Sequence, residues 1–72
     1  MSLDDTLSIR VNGEHRRVYG GITITELVNE LGLDPYRVAV ERNLAVVPRS
    51  QLPKIKVEDG DDYEIVHFVG GG

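Results

Sequence analysis

The sequence predicts an α+β domain, a mixed sheet of four to five short strands with one helix packed on one face. Three observations predict it. Leu7, Ile9 and Val11 alternate with Ser8 and Arg10 and run into Asn12-Gly13, the pattern of a strand entering a tight hairpin. One stretch, Thr23 to Leu31, carries helix start and stop signals around an apolar stripe. Strand-like apolar runs then follow at Val38 to Val40, Leu44 to Val47 and from about Asp62 to Val69.

Each element has its own physical reason. Both central residues of a type I′ turn need positive φ, which asparagine and glycine tolerate, so Asn12-Gly13 sends the chain back along Glu14 to Tyr19. Val18 is the clearest apolar member of that return strand, and Gly20-Gly21 closes it. Thr23-Ile24-Thr25-Glu26 is a capping box, flanked by a hydrophobic staple of Ile22 and Leu27. Ile24, Leu27, Val28 and Leu31 share one helical face. Gly32 suits the left-handed position after the helix, and Asp34-Pro35 prevents continuation. The two middle strands are expected to turn near Arg42-Asn43. Arg49 to Lys56, broken by Pro53, reads as an irregular crossover with a 3₁₀ turn near Ser50-Gln51-Leu52. Asp59-Gly60-Asp61 reads as a turn before the last strand. In the ββαββ order that results, the first and last strands pair in parallel at the sheet centre, with the helix in the crossover. That arrangement is the β-grasp, and it places the end of the last strand at the edge of the body.

Totals narrow the function. The 72 residues form one small domain, expected over 1–69, with 70–72 as a glycine tail projecting into solvent. Glycine has the thinnest and most permissive backbone, so Gly70-Gly71-Gly72 adds nothing to a core but can reach into a narrow slot. A frayed end is the bland alternative. The formal net charge of -4 argues against nucleic acid and anionic membranes as partners. No apolar run approaches the ~20 residues of a membrane helix. There is no cysteine, hence no thiol nucleophile and no thiolate metal site. The two histidines, His15 beside Arg16-Arg17 and His67 in the last strand, lack metal-pair spacing and a nucleophile to activate. No catalytic residue and no metal ligand is expected. Glu58, Asp59, Asp61, Asp62 and Glu64 read as a solvated acidic turn or as a feature that steers docking onto a basic surface. In the last strand Tyr63 and Ile65 fall on one face and Val66 and Phe68 on the other. Either Val66, Phe68 and Val69 form a docking patch beside the tail, or twist buries Phe68.

Several segments together resemble one family. They are Val11-Asn12-Gly13-Glu14, Thr23-Ile24-Thr25-Glu26-Leu27, Val38-Ala39-Val40-Glu41-Arg42-Asn43, Val47-Pro48-Arg49-Ser50, Asp59-Gly60-Asp61 and Glu64 to Gly72. The family is the sulfur carriers of thiamine biosynthesis, which are ubiquitin-like β-grasp proteins. Leu44 departs from it, standing where the family often has glycine, and Leu52-Pro53-Lys54-Ile55 replaces a commoner aromatic-containing loop. The resemblance implies a cytoplasmic protein that is a co-substrate rather than an enzyme. It binds no cofactor, and an adenylyltransferase resembling ubiquitin-activating enzymes uses ATP to adenylate the Gly72 carboxylate. A persulfide donor then converts it to a thiocarboxylate. Gly70 and Gly71 thread the partner's active site, and thiazole synthase takes the sulfur. The alternatives are a carrier for molybdopterin synthesis, or a ubiquitin-like interaction or conjugation module.

Overall fold

The structure, a computed structural model, describes residues 5–69. Its strands are β1 (Thr6–Val11), β2 (Glu14–Tyr19), β3 (Val38–Arg42), β4 (Ala45–Val47) and β5 (Asp62–His67), with one helix, α1 (Ile24–Glu30). They form a single five-stranded sheet in the order β2-β1-β5-β3-β4. β5 lies at the centre, parallel to β1 through Arg10↔Asp62 and Val11↔Tyr63, and antiparallel to β3 from Val38↔His67 to Arg42↔Tyr63. The expected fold class and the parallel pairing of first and last strands are both present.

The first hairpin turns at Asn12 (φ 51°) and Gly13 (φ 83°), with Val11 facing Glu14 across it. Thr23 Oγ1 accepts from the Glu26 amide at 3.2 Å, and a Glu26 carboxylate oxygen accepts from the Thr23 amide at 2.9 Å, so the capping box is closed. A helix of seven residues is not stable alone. Burial of Ile24, Leu27 and Val28 against the sheet holds it, and Gly32 at φ 77° ends it. Beneath the helix lie Ile9, Val11 and Val18 from the first hairpin, Val38, Val40 and Val47 from β3 and β4, and Tyr63 and Ile65 from β5. Leu52 and Val57 close the core from the crossover. That crossover is irregular apart from a 3₁₀ turn at Arg49–Gln51. It is tied to the helix start by Ile24 N–H to Ile55 O (3.0 Å), Thr25 N–H to Leu52 O (3.1 Å) and Val57 N–H to Ile22 O (2.9 Å).

Three boundaries differ from expectation. The second turn falls at Asn43-Leu44, one residue later than Arg42-Asn43, because the ladder between β3 and β4 continues to Arg42↔Ala45. Asp34-Pro35 does more than stop the helix: Asp34 accepts from the Tyr36 amide at 2.9 Å and caps a 3₁₀ turn at Pro35–Arg37. The last strand ends at His67, short of Val69, and Phe68 adds one further backbone bond to Arg37 O at 2.8 Å.

Candidate functional site

β5 carries the residues singled out for docking, and its alternation is clean. Tyr63 is 0% exposed and Ile65 5%, both toward the helix, whereas Val66 is 57% and Phe68 53% exposed on the other side. Twist does not bury Phe68. Val69 is exposed just beyond the strand. Ala39, also exposed, lies beside Val66 in register, whereas exposed Val46 lies opposite Glu41, nearer the second turn. An apolar outer patch therefore adjoins the point where the chain leaves the sheet. Gly70, Gly71 and Gly72 lie outside the described residues.

Two asparagines clamp β5 from opposite sides. β1 turns away at Asn12, but the Asn12 side chain continues the ladder: Nδ2 donates to Ile65 O at 3.0 Å, and Oδ1 accepts from Ile65 N–H at 2.8 Å. On the other edge the Asn43 amide donates to Asp62 O at 2.8 Å, and Asn43 Oδ1 accepts from Asp62 N–H at 2.9 Å. Both asparagines have φ 51°, the left-handed conformation that aims a short amide back at neighbouring backbone.

The acidic run is only partly a solvated turn. Asp61 is 5% exposed, and its carboxylate accepts from Arg42 Nε (2.9 Å), Tyr63 Oη (2.8 Å), Asn43 Nδ2 (3.0 Å) and Glu58 N–H (2.9 Å). Arg42 reaches Glu58 as well, at 2.6 Å. Asp59 accepts from the Ser8 amide at 2.8 Å, and Gly60 N–H donates to Ser8 O at 2.7 Å, which ties the turn to β1. Asp61 is thus a structural keystone within the acidic stretch, while Asp62 and Glu64 remain exposed. Burial by itself pushes the Asp61 carboxyl upward, but the four donated hydrogen bonds outweigh it and hold the group below the usual carboxylate range. Burial, then the adjacent Asp61 carboxylate, raises the Tyr63 phenol well above its ordinary value. The hydrogen bond to Asp61 chiefly keeps Arg42 charged. Among the described residues no buried side-chain polar atom lacks a partner.

The remaining candidates do not assemble into a catalytic group. His15 Nε2 lies 2.6 Å from Ser8 Oγ, but no carboxylate hydrogen-bonds that imidazole among the described residues, and the pair is exposed. His67 is exposed on β5, apart from His15. Among the described residues no cluster of His, Cys, Asp and Glu is arranged to hold a metal ion. No helix among them is long and apolar enough to cross a membrane.

A five-stranded mixed sheet with its last strand central and one helix across it makes this a ubiquitin-like β-grasp domain. The model of the ThiS family matches residues 9–72, and the chain belongs to that family. It is 47% identical over 66 residues to a thiazole synthase of Paramagnetospirillum magneticum, covering 92% of this chain and 20% of that protein. The chain therefore spans a fifth of the length of the thiazole synthase it matches. It is 40% identical over 50 residues to the sulfur carrier protein ThiS of Bacillus subtilis, 69% of this chain and 76% of that one. Among solved structures, the thiamine biosynthesis protein ThiS of Geobacter metallireducens superposes with a TM-score of 0.75 at 35% identity, over 92% of this chain and 100% of that one.

Proposed function

We propose that this chain is a sulfur carrier of thiamine biosynthesis, acting as a protein co-substrate through the carboxylate of Gly72. An α-carboxylate is anionic at neutral pH, with a pKa of ~3.3–3.7, and is a poor electrophile. Its oxygen attacks the α-phosphorus of ATP on an adenylyltransferase, and pyrophosphate leaves. The terminal sulfur of a persulfide then attacks the acyl carbon, and AMP leaves. A thiol then attacks the donor's sulfur in the acyl disulfide, forming a new disulfide with the donor as the old S–S bond breaks and the thiocarboxylate leaves. Thiazole synthase receives that sulfur. The adenylate must be held away from water and aligned with its nucleophile, which favours a substrate arm without side chains such as Gly70-Gly71-Gly72. The reading places the protein in the cytoplasm, where ATP and reducing thiols are both present.

The observation that carries the reading is the pairing of a firmly held β5 with an exposed apolar patch at its exit. The body is a handle, Val66, Phe68 and Val69 are the docking patch, and the segment beyond them is the reactive arm. The likeness to the carrier of Bacillus subtilis supports the thiamine pathway over a molybdopterin carrier. The test is intact mass after incubation with ATP, a persulfide donor, a reducing thiol and the adenylyltransferase. The expected result is a gain equal to exchanging one oxygen for one sulfur, abolished by deleting Gly71 and Gly72. An unchanged mass with a competent enzyme would overturn the reading.

A further inference from the structure

The two hairpins of this chain solve one backbone problem with different residues. The first turns at Asn12 (φ 51°) and Gly13 (φ 83°), the second at Asn43 (φ 51°) and Leu44 (φ 71°). Every other left-handed residue among those described is asparagine or glycine: Asn12, Asn43, Gly13, Gly21, Gly32 and Gly60. A leucine there crowds its Cβ against its own carbonyl, a strain glycine does not incur. The leucine side chain returns no core packing for that strain: it is 92% exposed and lies outside the buried cluster. Strain kept without an internal return points to a use outside the fold.

The surroundings say what that use requires. Val46, on the same hairpin, is 75% exposed. Glu41 faces Glu64 in register, both exposed, and exposed Glu58, Asp59 and Asp62 crowd the same end of the sheet. Arg42 at that end is already engaged by Asp61 and Glu58, and Arg10 lies beside Asp62 on β1, so Glu41 and Glu64 face each other without a salt bridge among the described residues. A large apolar tip beside the like-charged pair Glu41 and Glu64 fits an apolar socket rimmed by lysine or arginine on a protein. An anionic membrane would be repelled. The position fits as well. Arg42, which leads into the turn, pairs with Tyr63, whereas the chain leaves the sheet after His67, about 13 Å further along β5 at ~3.3 Å per residue. A contact at the hairpin fixes the body while leaving the exit end free to enter an active site.

We propose that Leu44 is an anchor residue, seated with Val46 in a basic-rimmed apolar socket on thiazole synthase. This rests on the carrier reading, and the choice of partner on the relative in which a segment like this one forms part of a thiazole synthase. Buried anchors ringed by complementary charge dominate affinity, and the charges govern its salt dependence.

The test titrates the full chain against purified thiazole synthase, with Leu44→Gly, Leu44→Met and Glu41→Gln/Glu64→Gln variants. Leu44→Gly is expected to melt at or above the parent's temperature yet bind at least about tenfold more weakly. Leu44→Met restores most of the affinity. The double glutamine variant binds more weakly at low salt and loses most of the parent's salt dependence. A Leu44→Gly chain that binds like the parent, or that melts well below it, overturns the proposal. If the parent gains sulfur in the mass assay but does not bind thiazole synthase, the anchor inference falls and the carrier reading stands. Failure of both removes the carrier reading itself.

Discussion

Single residues decide how firmly the last strand is held, and Asp61 decides most. Removing it leaves the Arg42 guanidinium half-buried with only Glu58 and strands the buried Tyr63 hydroxyl. Asp61→Ala is expected to cost ~3–5 kcal/mol, the range for one partner lost from a buried pair, measured as a shift in urea midpoint. Tyr63→Phe removes one of four donors and is expected to cost about 1 kcal/mol. The pH dependence has a definite sign. The folded Asp61 carboxyl titrates below the ~3.9 of an unfolded aspartate, so the unfolded chain takes up the proton first as pH falls. Its contribution is present above about pH 4 and is lost as pH drops through the folded value. Asp61→Asn should flatten that acid limb in urea melts. Nothing in Glu58-Asp59-Gly60-Asp61-Asp62 marks the third acid as the buried one. Its partners Arg42 and Asn43 sit 19 and 18 residues away, so only the folded topology reveals it.

Elements with local rules were the most legible. The capping box spans four residues and the helix stripe eight, so both can be read directly from Ile22 to Leu31. Thr23→Ala is expected to cost about 1 kcal/mol in thermal or urea melts, since it opens that box. The clamps on β5 were not legible, because Asn12 bonds Ile65 across 53 residues. The Asn12-Gly13 pair signals a turn and gives no hint that the asparagine side chain acts as an extra rung. Asn12→Ala loses both bonds and the residue type suited to φ 51°, and is expected to cost ~1–3 kcal/mol. The second turn lies one residue beyond Arg42-Asn43 because Leu44, a residue type poorly suited to φ 71°, takes the left-handed position, which propensity does not foretell.

At the scale of the molecule, one layer makes the core and the opposite sheet face stays open. Phe68→Asp belongs here. Since Phe68 is 53% exposed, the variant is expected to fold with nearly the parent's melting temperature and to bind the adenylyltransferase more weakly. Titration of both proteins checks it, and unchanged binding would remove Phe68 from the docking patch. The central pairing of first and last strands followed from the order of the sequence signals, although ββαββ is one strand short of the five-stranded sheet found.

The central place of β5 also has a mechanical consequence. A pull on the chain beyond Val69 acts along the strand axis. The rungs to β1 and β3, with the two asparagine amides, are then loaded side by side in shear, and none can peel open ahead of the others. On the carrier reading, a partner that pulls on that end would draw the whole body toward it rather than unzip the strand rung by rung.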